Sequence, residues 1–254
     1  MKAFLVASMA LIASANAALA ADLGPTMTGW PFEAPPAYPT TKMYDWSGFY
    51  VGLNGGGALG DIKWTSVPDA TNGTANGNGG LFGGTAGYNL QTGERYVVGL
   101  EGDIDWSGIS GTVSTAPPVA AGCSFGGSNN CEFKAPWLAT ARLRFGYSLD
   151  GLMPVAIMPY VTGGVAIARL NADIAGAPYG WEGQNTVGWT AGAGVEVAIT
   201  GEWRAKVEYL YMDLNGFSCS TSCAFPGDGS AGPVSFNYTA SVVRAGLNYR
   251  LWTQ

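Results

Sequence analysis

Residues 96–108 read YVVGLEGDIDWSG and combine two patterns at alternating positions. Glu101, Asp103 and Asp105 occupy every second position, and mostly apolar side chains fill the positions between them. In a β-strand, alternate residues point to opposite faces, so three carboxylates would share one face and an apolar stripe the other. Such a row can hold a metal ion, perform acid and base chemistry or form half of an ion-pair network.

The same alternation recurs in eight segments of about ten residues. They are residues 48–59, 81–89, 96–108, 137–147, 159–168, 188–198, 203–213 and 242–252. Four long connections, at 60–79, 107–134, 171–186 and 213–237, alternate with shorter ones. Long loops on one rim and short turns on the other are typical of outer-membrane barrels. The sequence therefore predicts an all-β fold: an eight-stranded antiparallel up-and-down transmembrane β-barrel.

Composition indicates which face of each strand looks inward. Only 12% of residues are charged, about half the usual soluble share of roughly 25%, and the chain has 39 glycines. The polar face is built mainly from Gly, Thr and Asn, which suit a narrow lumen. The apolar face carries aromatics near segment ends, among them Trp106, Trp137, Trp189 and Trp203, as expected of interface girdles. We therefore expect the apolar face to contact lipid.

The chain begins with features of an exported protein. Lys2 precedes an apolar run from Ala3 to Ile12, and Ala18-Leu19-Ala20 has the small residues of a cleavage site. We predict a signal peptide at 1–20, a Pro-rich N-terminal extension at 21–45 and an outer-membrane barrel with four long surface loops at 46–254. Export through the periplasm would deliver the barrel to the cell outer membrane.

The inward-facing charges nearly cancel, which favours the structural interpretation of the carboxylate row. We predict a lumen ion-pair network, because dehydrated charges are costly unless paired. Its members are Glu101, Asp103, Asp105, Glu196 and Glu208 with Arg142, Arg144, Arg204, Lys206, Arg244 and Arg250. No catalytic, cofactor-binding or metal-binding residue and no cofactor is predicted. The metal and catalytic interpretations remain open only for Asp105, nearest the rim.

The four cysteines, Cys123, Cys131, Cys219 and Cys223, all fall in the predicted long loops. Disulfides persist in exported proteins, and four cysteines allow three pairings, which the sequence does not separate. We expect the local pairs Cys123 with Cys131 and Cys219 with Cys223. A metal site is a weaker alternative, since the chain has no His and no CxxC pair.

Six stretches together resemble the alphaproteobacterial outer-membrane immunogenic proteins. They are DWSGFYVGLNGGGALG, GGTAGYNLQTGERYVVGLEGDIDWSG, WLATARLRFGY, MPYVTGGVAIA, GWTAGAGVEVAITGEWRAKVEYLYMDL and VVRAGLNYRL, which lie within residues 45–251. These "porin family" small barrels are related to the OmpA/OmpX-like transmembrane domains. The resemblance implies variable, antigenic surface loops, insertion by the barrel-assembly machinery and a part in envelope integrity. In some branches it also implies haemin binding or weak pore activity.

We expect a structural, surface-exposed barrel that contributes to envelope integrity without catalysis. A narrow pore for small solutes or ions, or a surface protein that binds a ligand or host, are the alternatives. Catalysis is disfavoured because barrel hydrolases usually use His, which this chain lacks. Outer-membrane lipid and lipopolysaccharide are the expected partners. Nucleic acid is not expected, since the chain without residues 1–20 has 11 basic and 18 acidic residues.

Overall fold

The structure is a computed structural model that describes residues 43–66, 71–114, 130–150, 155–174, 184–216, 218–219 and 234–252. Nine strands lie in these ranges. They are β1 Gly48–Ser66, β2 Thr71–Thr92, β3 Tyr96–Ser114, β4 Asn130–Tyr147, β5 Ile157–Ile174, β6 Gln184–Ala198, β7 Trp203–Leu214, β8 Ser218–Cys219 and β9 Val234–Trp252. No described helix has the length and hydropathy needed to cross a membrane. The predicted signal peptide and nearly all of the Pro-rich extension lie outside the described residues.

The strands close into an antiparallel barrel. Each long strand pairs with its neighbour in the order β1-β2-β3-β4-β5-β6-β7-β9, and β9 pairs back onto β1. The two-residue β8 adds to the free side of β9, beyond the end of β7. Closure leaves no long unpaired edge at the level of the membrane, which a sheet in hydrocarbon requires. The predicted eight-stranded up-and-down barrel is confirmed.

The strands are longer than the period-two segments, and the predicted long loops are correspondingly shorter. The predicted loop 60–79 is mostly strand, because β1 and β2 stay paired up to Ser66 and Thr71. Strands likewise extend into the predicted loops 107–134, 171–186 and 213–237. Pairing satisfies the backbone N–H and C=O groups of these Gly- and Asn-rich stretches, so they continue the ladder above the membrane. On the other rim the turn between β2 and β3 is tight and contains Gly93, whose φ of 65° is available to glycine at little cost.

Burial follows the predicted alternation. On β3, Leu100 is 58% exposed and Trp106 66%, whereas Glu101 and Asp105 are 0% exposed. The other strands repeat this division between an apolar outer belt and an inner face. The apolar side chains therefore form the lipid-facing surface, and the charged side chains point into the lumen.

Candidate functional site in the barrel lumen

The middle of the lumen is filled by an ion-pair layer. Its acids are Glu101, Asp103 and Asp105 on β3, Glu196 on β6 and Glu208 on β7; its bases are Arg142 and Arg144 on β4, Lys206 on β7 and Arg244 on β9. Nitrogen–oxygen distances of 2.7–3.4 Å join them, and their side chains are at most 2% exposed. These nine predicted residues come together in one cluster.

Glu101 is the centre of this layer. Its Oε1 accepts from Arg142 Nη2 at 2.7 Å. Its Oε2 accepts from Arg144 Nη1 at 3.1 Å, Lys206 Nζ at 3.0 Å and the hydroxyl of Tyr50 at 2.8 Å. Arg142 stands directly opposite Glu101 in the β3–β4 ladder, which explains that contact, whereas Lys206 reaches it from β7. One carboxylate therefore links three strands besides its own.

Arg244 joins β9 to the far side of the barrel. Its Nη1 donates to Asp105 Oδ2 at 2.7 Å, and its Nη1 and Nη2 donate to the two oxygens of Asp103 at 3.0 and 2.8 Å. The remaining nitrogen, Nε, donates to Glu208 Oε1 at 2.7 Å. All three guanidinium nitrogens are thus used, in the forked geometry that suits arginine to carboxylates. Asp105, where metal and catalytic roles had remained open, is held by this arginine.

Arg144 is held by aromatic rings as well as by carboxylates. Its Nη2 donates to Glu196 at 2.7 Å, and its guanidinium carbon lies 3.9 Å from the centroid of the Tyr160 ring. That ring can lie along the wall because β6 has Gly194 there; a Cβ at this glycine would come within 2.6 Å of the tyrosine Cζ. Tyr50 and Tyr160 therefore help to hold Arg144, although the prediction from charged residues alone did not include them.

A second layer closes the end of the barrel that carries the short turns. Trp46 is 0% exposed; its Nε1 donates to Ser148 Oγ at 3.0 Å and its backbone N to Gln91 Oε1 at 2.8 Å. Tyr44 packs edge-on against it, with ring centroids 4.8 Å apart. The chain before β1 therefore forms an aromatic floor of Tyr44 and Trp46 beneath the ion-pair layer.

Two bases predicted for the ion-pair network belong to this floor instead. Arg204 is buried, but its Nε donates to the Tyr44 hydroxyl at 3.1 Å, and its guanidinium carbon lies 5.5 Å from the centroid of the Tyr44 ring and 5.3 Å from that of the Trp46 ring. Arg250 donates to the carbonyls of Asp45 and Gly201. Neither lies within 4 Å of a carboxylate oxygen in the described part of the chain. The prediction of ion pairs for these two residues is wrong, because they lie below the acidic side chains, where aromatic rings and carbonyls are their neighbours.

A third layer, on the opposite side of the ion pairs, is apolar. Its larger members are Ile62, Leu81, Ile109, Phe133, Leu138, Leu210, Met212, Leu214, Tyr238 and Val242. Sequence reasoning missed this layer, although the signal was present: Leu210 and Met212 share the inward parity of Lys206 and Glu208 on the same strand. A barrel interior that is polar at mid-height thus becomes an apolar core towards the long-loop rim.

The predicted disulfides and the alternative of a metal site concern residues other than the ion-pair layer. The side chains of Cys123, Cys131, Cys219 and Cys223 lie outside the described residues, so both disulfides stay predictions. Among the side chains that are described, no group of three or more His, Cys, Asp or Glu is arranged to hold a metal ion.

The closed barrel, its apolar outer belt and its filled lumen define a small outer-membrane β-barrel protein. The chain belongs to the family described as "Outer membrane protein beta-barrel domain", whose model matches residues 4–250. It is 34% identical to the 31 kDa outer-membrane immunogenic protein of Brucella melitensis over 98% of this chain and 100% of that protein. It is 30% identical to the 25 kDa outer-membrane immunogenic protein of Brucella canis, over 85% of each chain.

A solved structure agrees with this architecture. The outer membrane protein OprG from Pseudomonas aeruginosa aligns with a TM-score of 0.50 and 14% identity, over 81% of this chain and 98% of that one. At this identity the likeness concerns the fold alone. The resemblance to the outer-membrane immunogenic proteins and the outer-membrane location predicted from the sequence are both confirmed.

Proposed function

We propose that this outer-membrane protein is a sealed, non-catalytic barrel that supports the envelope and presents its long-loop rim at the cell surface. The observation that carries the proposal is the ion-pair layer. Eight strands enclose a lumen just wide enough for side chains, and here charged side chains with at most 2% exposure occupy it. An ion could pass only if several buried contacts opened together.

The two layers beside it support the same conclusion. The aromatic floor of Tyr44 and Trp46 covers the short-turn mouth, and the apolar core fills the lumen towards the long-loop rim. A hydrated ion would lose its water shell in that core without gaining polar partners, which is costly. The proposal that the barrel is not an enzyme is supported by the ion pairing of Glu101, Asp103, Asp105, Glu196 and Glu208, and by the absence of His from the sequence.

Planar-bilayer recordings of the purified full-length protein test this proposal. We expect no stable channels from the unmodified barrel, with heat-dependent gel mobility showing that it is folded. The variant Arg142→Ser/Arg244→Ser, which removes two of the buried arginine side chains from the middle of the lumen, is the positive comparison for the assay. Stable, solute-sized conductance from the unmodified protein would overturn the sealed-barrel proposal in favour of a narrow pore.

A further inference from the structure

The ion-pair layer contains one acid more than it has bases. Its five carboxylates face four basic side chains, so it has one negative charge in excess if every group is ionised. Arg204 is a further base on the inner face, but it lies in the aromatic floor, where its partners are a hydroxyl and aromatic rings. A buried charge without a partner is costly. The layer therefore requires either one more positive charge or one neutral acid.

Asp105 is the acid with the fewest partners in the layer. Its Oδ2 accepts a single hydrogen bond, from Arg244 Nη1 at 2.7 Å, and the same nitrogen also donates to Asp103 Oδ1 at 3.0 Å. Glu101, by contrast, accepts four. Asp105 Oδ1 has no hydrogen-bond partner among the described residues, although the side chain is 0% exposed. Two adjacent carboxylates that share one donor favour a state in which only one of them is charged.

A second buried oxygen without a partner lies near the first. Asn54 on β1 and Asp105 on β3 are both paired with Gly83 of β2, one on each side. A Cβ at Gly83 would overlap Asp105 Oδ1, so this oxygen lies over the glycine that separates the two side chains. Asn54 Nδ2 donates to Thr85 Oγ1 at 2.9 Å, and Asn54 Oδ1 has no partner in the described chain. Two buried acceptors thus flank one glycine, and each lacks a donor.

The surroundings of Asp105 supply no further base. The charged groups around it are Asp103 on its own strand, Arg142 on β4, Glu208 on β7 and Arg244 on β9, and these are already bonded to one another. The described inner faces of β1, β2 and β5 carry no carboxylate, Lys or Arg, and the single one on β6, Glu196, is bonded to Arg144. On β4 the residue opposite Asp105 is Leu138, which belongs to the apolar core. Asp105 therefore lies where the ion-pair layer meets apolar side chains.

We propose that Asp105 is a proton-binding site, in which Oδ1 carries a proton at neutral pH and donates it to Asn54 Oδ1. This hydrogen bond would satisfy both unpartnered oxygens, while Oδ2 would still accept from Arg244. A neutral Asp105 would also remove the excess negative charge from the layer. A buried carboxyl that stays neutral can act as a hydrogen-bond donor in this way. The proposal goes beyond the sealed-barrel role, since conductance does not depend on it.

Infrared spectroscopy of the full-length barrel in phospholipid vesicles at neutral pH tests for the proton directly. A protonated carboxyl has a C=O band that a carboxylate lacks. We expect one such band in the unmodified protein, shifted by isotope-labelled aspartate and absent from Asp105→Asn. Glu196→Gln is the matched control and should keep the band, because Glu196 is also a buried lumen acid but accepts from Arg144 at 2.7 Å. Heat-dependent gel mobility verifies that each variant is folded.

The pH dependence of stability is a second, independent measurement. If only the folded state keeps the proton, folding takes up a proton above about pH 4, where an unfolded aspartate ionises. The folding equilibrium constant of the unmodified protein, divided by that of Asp105→Asn, should therefore fall by up to about tenfold per pH unit between about pH 5.5 and 7. The same ratio for Glu196→Gln should stay constant, because an ion-paired carboxylate binds no proton in either state over this range.

Several results would overturn the proposal. The absence of the band from the unmodified protein, with a loss of stability in Asp105→Asn, would show that Asp105 is ionised and accepts from a reversed Asn54 amide. A band that survives in Asp105→Asn would place the proton on another acid. An unfolding midpoint that falls when choline replaces sodium, without any carboxyl band, would show that a sodium ion occupies the site.

Asn54→Ala keeps the test decisive if Asp105→Asn does not fold. The carboxyl band of this variant should move, because the Asp105 O–H loses its acceptor. An unchanged band position would refute the hydrogen bond to Asn54, and a band that isotope-labelled aspartate does not shift would exclude Asp105 as its source.

Discussion

Glu101→Ala removes the acceptor at the centre of the ion-pair layer. Arg142 and Arg144 would keep other carboxylates, at Glu208 and Glu196, but Lys206 would keep only Glu208, at 3.4 Å. The substitution therefore leaves buried positive charge incompletely paired and the Tyr50 hydroxyl without its acceptor. Removing one partner of a buried ion pair costs about 3–5 kcal/mol.

Urea unfolding of the barrel in phospholipid vesicles measures this loss. With a denaturant dependence of about 2 kcal/mol per molar urea, the midpoint should fall by about 2 M. Glu94→Ala, in the exposed turn between β2 and β3, is the matched control and should leave the midpoint unchanged. The double variant Glu101→Gln/Lys206→Met should lose about 1–3 kcal/mol less free energy of unfolding than the two single variants together. Both substitutions remove the same contact, the ion pair between Glu101 and Lys206. A Glu101→Ala midpoint equal to that of Glu94→Ala would refute the pairing.

Three further changes probe the other layers. Trp46→Ala should lower the free energy of unfolding by about 3–5 kcal/mol, as for a buried large-to-small change, yet leave bilayer recordings silent because the ion-pair layer remains. Gly56→Ala should prevent folding to the heat-modifiable form, because the alanine Cβ would lie 2.6 Å from Arg244 Cα. Gly102→Ala is the control and should fold normally, because the atom nearest to a Cβ at that position is 3.6 Å away. Leu100→Arg places a charge on the lipid-facing belt and should cost about 2–4 kcal/mol in vesicle-based urea titrations.

Period-two alternation predicted the barrel because one rule, the opposite orientation of successive side chains, acts along every strand. The same rule placed Glu101 and Arg142 on the inner face. It carries no information on how far a strand continues past the membrane, so the paired stretch of β1 and β2 above residue 59 was predicted as loop. Nor does it give height along the lumen, which decides that Arg204 meets aromatic rings rather than carboxylates.

The contribution of Trp46 was also beyond sequence pattern, for a different physical reason. It precedes the first strand and belongs to no alternating segment, so its burial depends on where the chain before β1 crosses the mouth of a finished barrel. Contacts of this kind join residues about a hundred positions apart, such as Trp46 with Ser148. They exist only after closure, and local periodicity cannot indicate them.

The ion-pair layer also determines strand register, which the apolar belt alone does not do. A slip of one residue would turn Arg142 or Arg244 into lipid, at about 2–4 kcal/mol for each base near the midplane. A slip of two residues keeps every side chain on its proper face and changes the free energy of the lipid-facing contacts little, but it displaces a strand by about 6.6 Å. That displacement would separate Arg244 from both Glu208 and Asp105, now at 2.7 Å. The Arg244–Asp105 contact joins β9 to β3 across the lumen, and the Arg244–Glu208 contact joins β9 to the neighbouring β7, so a shift in any one of the three strands breaks at least one of them. The buried charges thus specify one register among those that the alternating pattern permits, which explains their placement even where their net stabilisation is small.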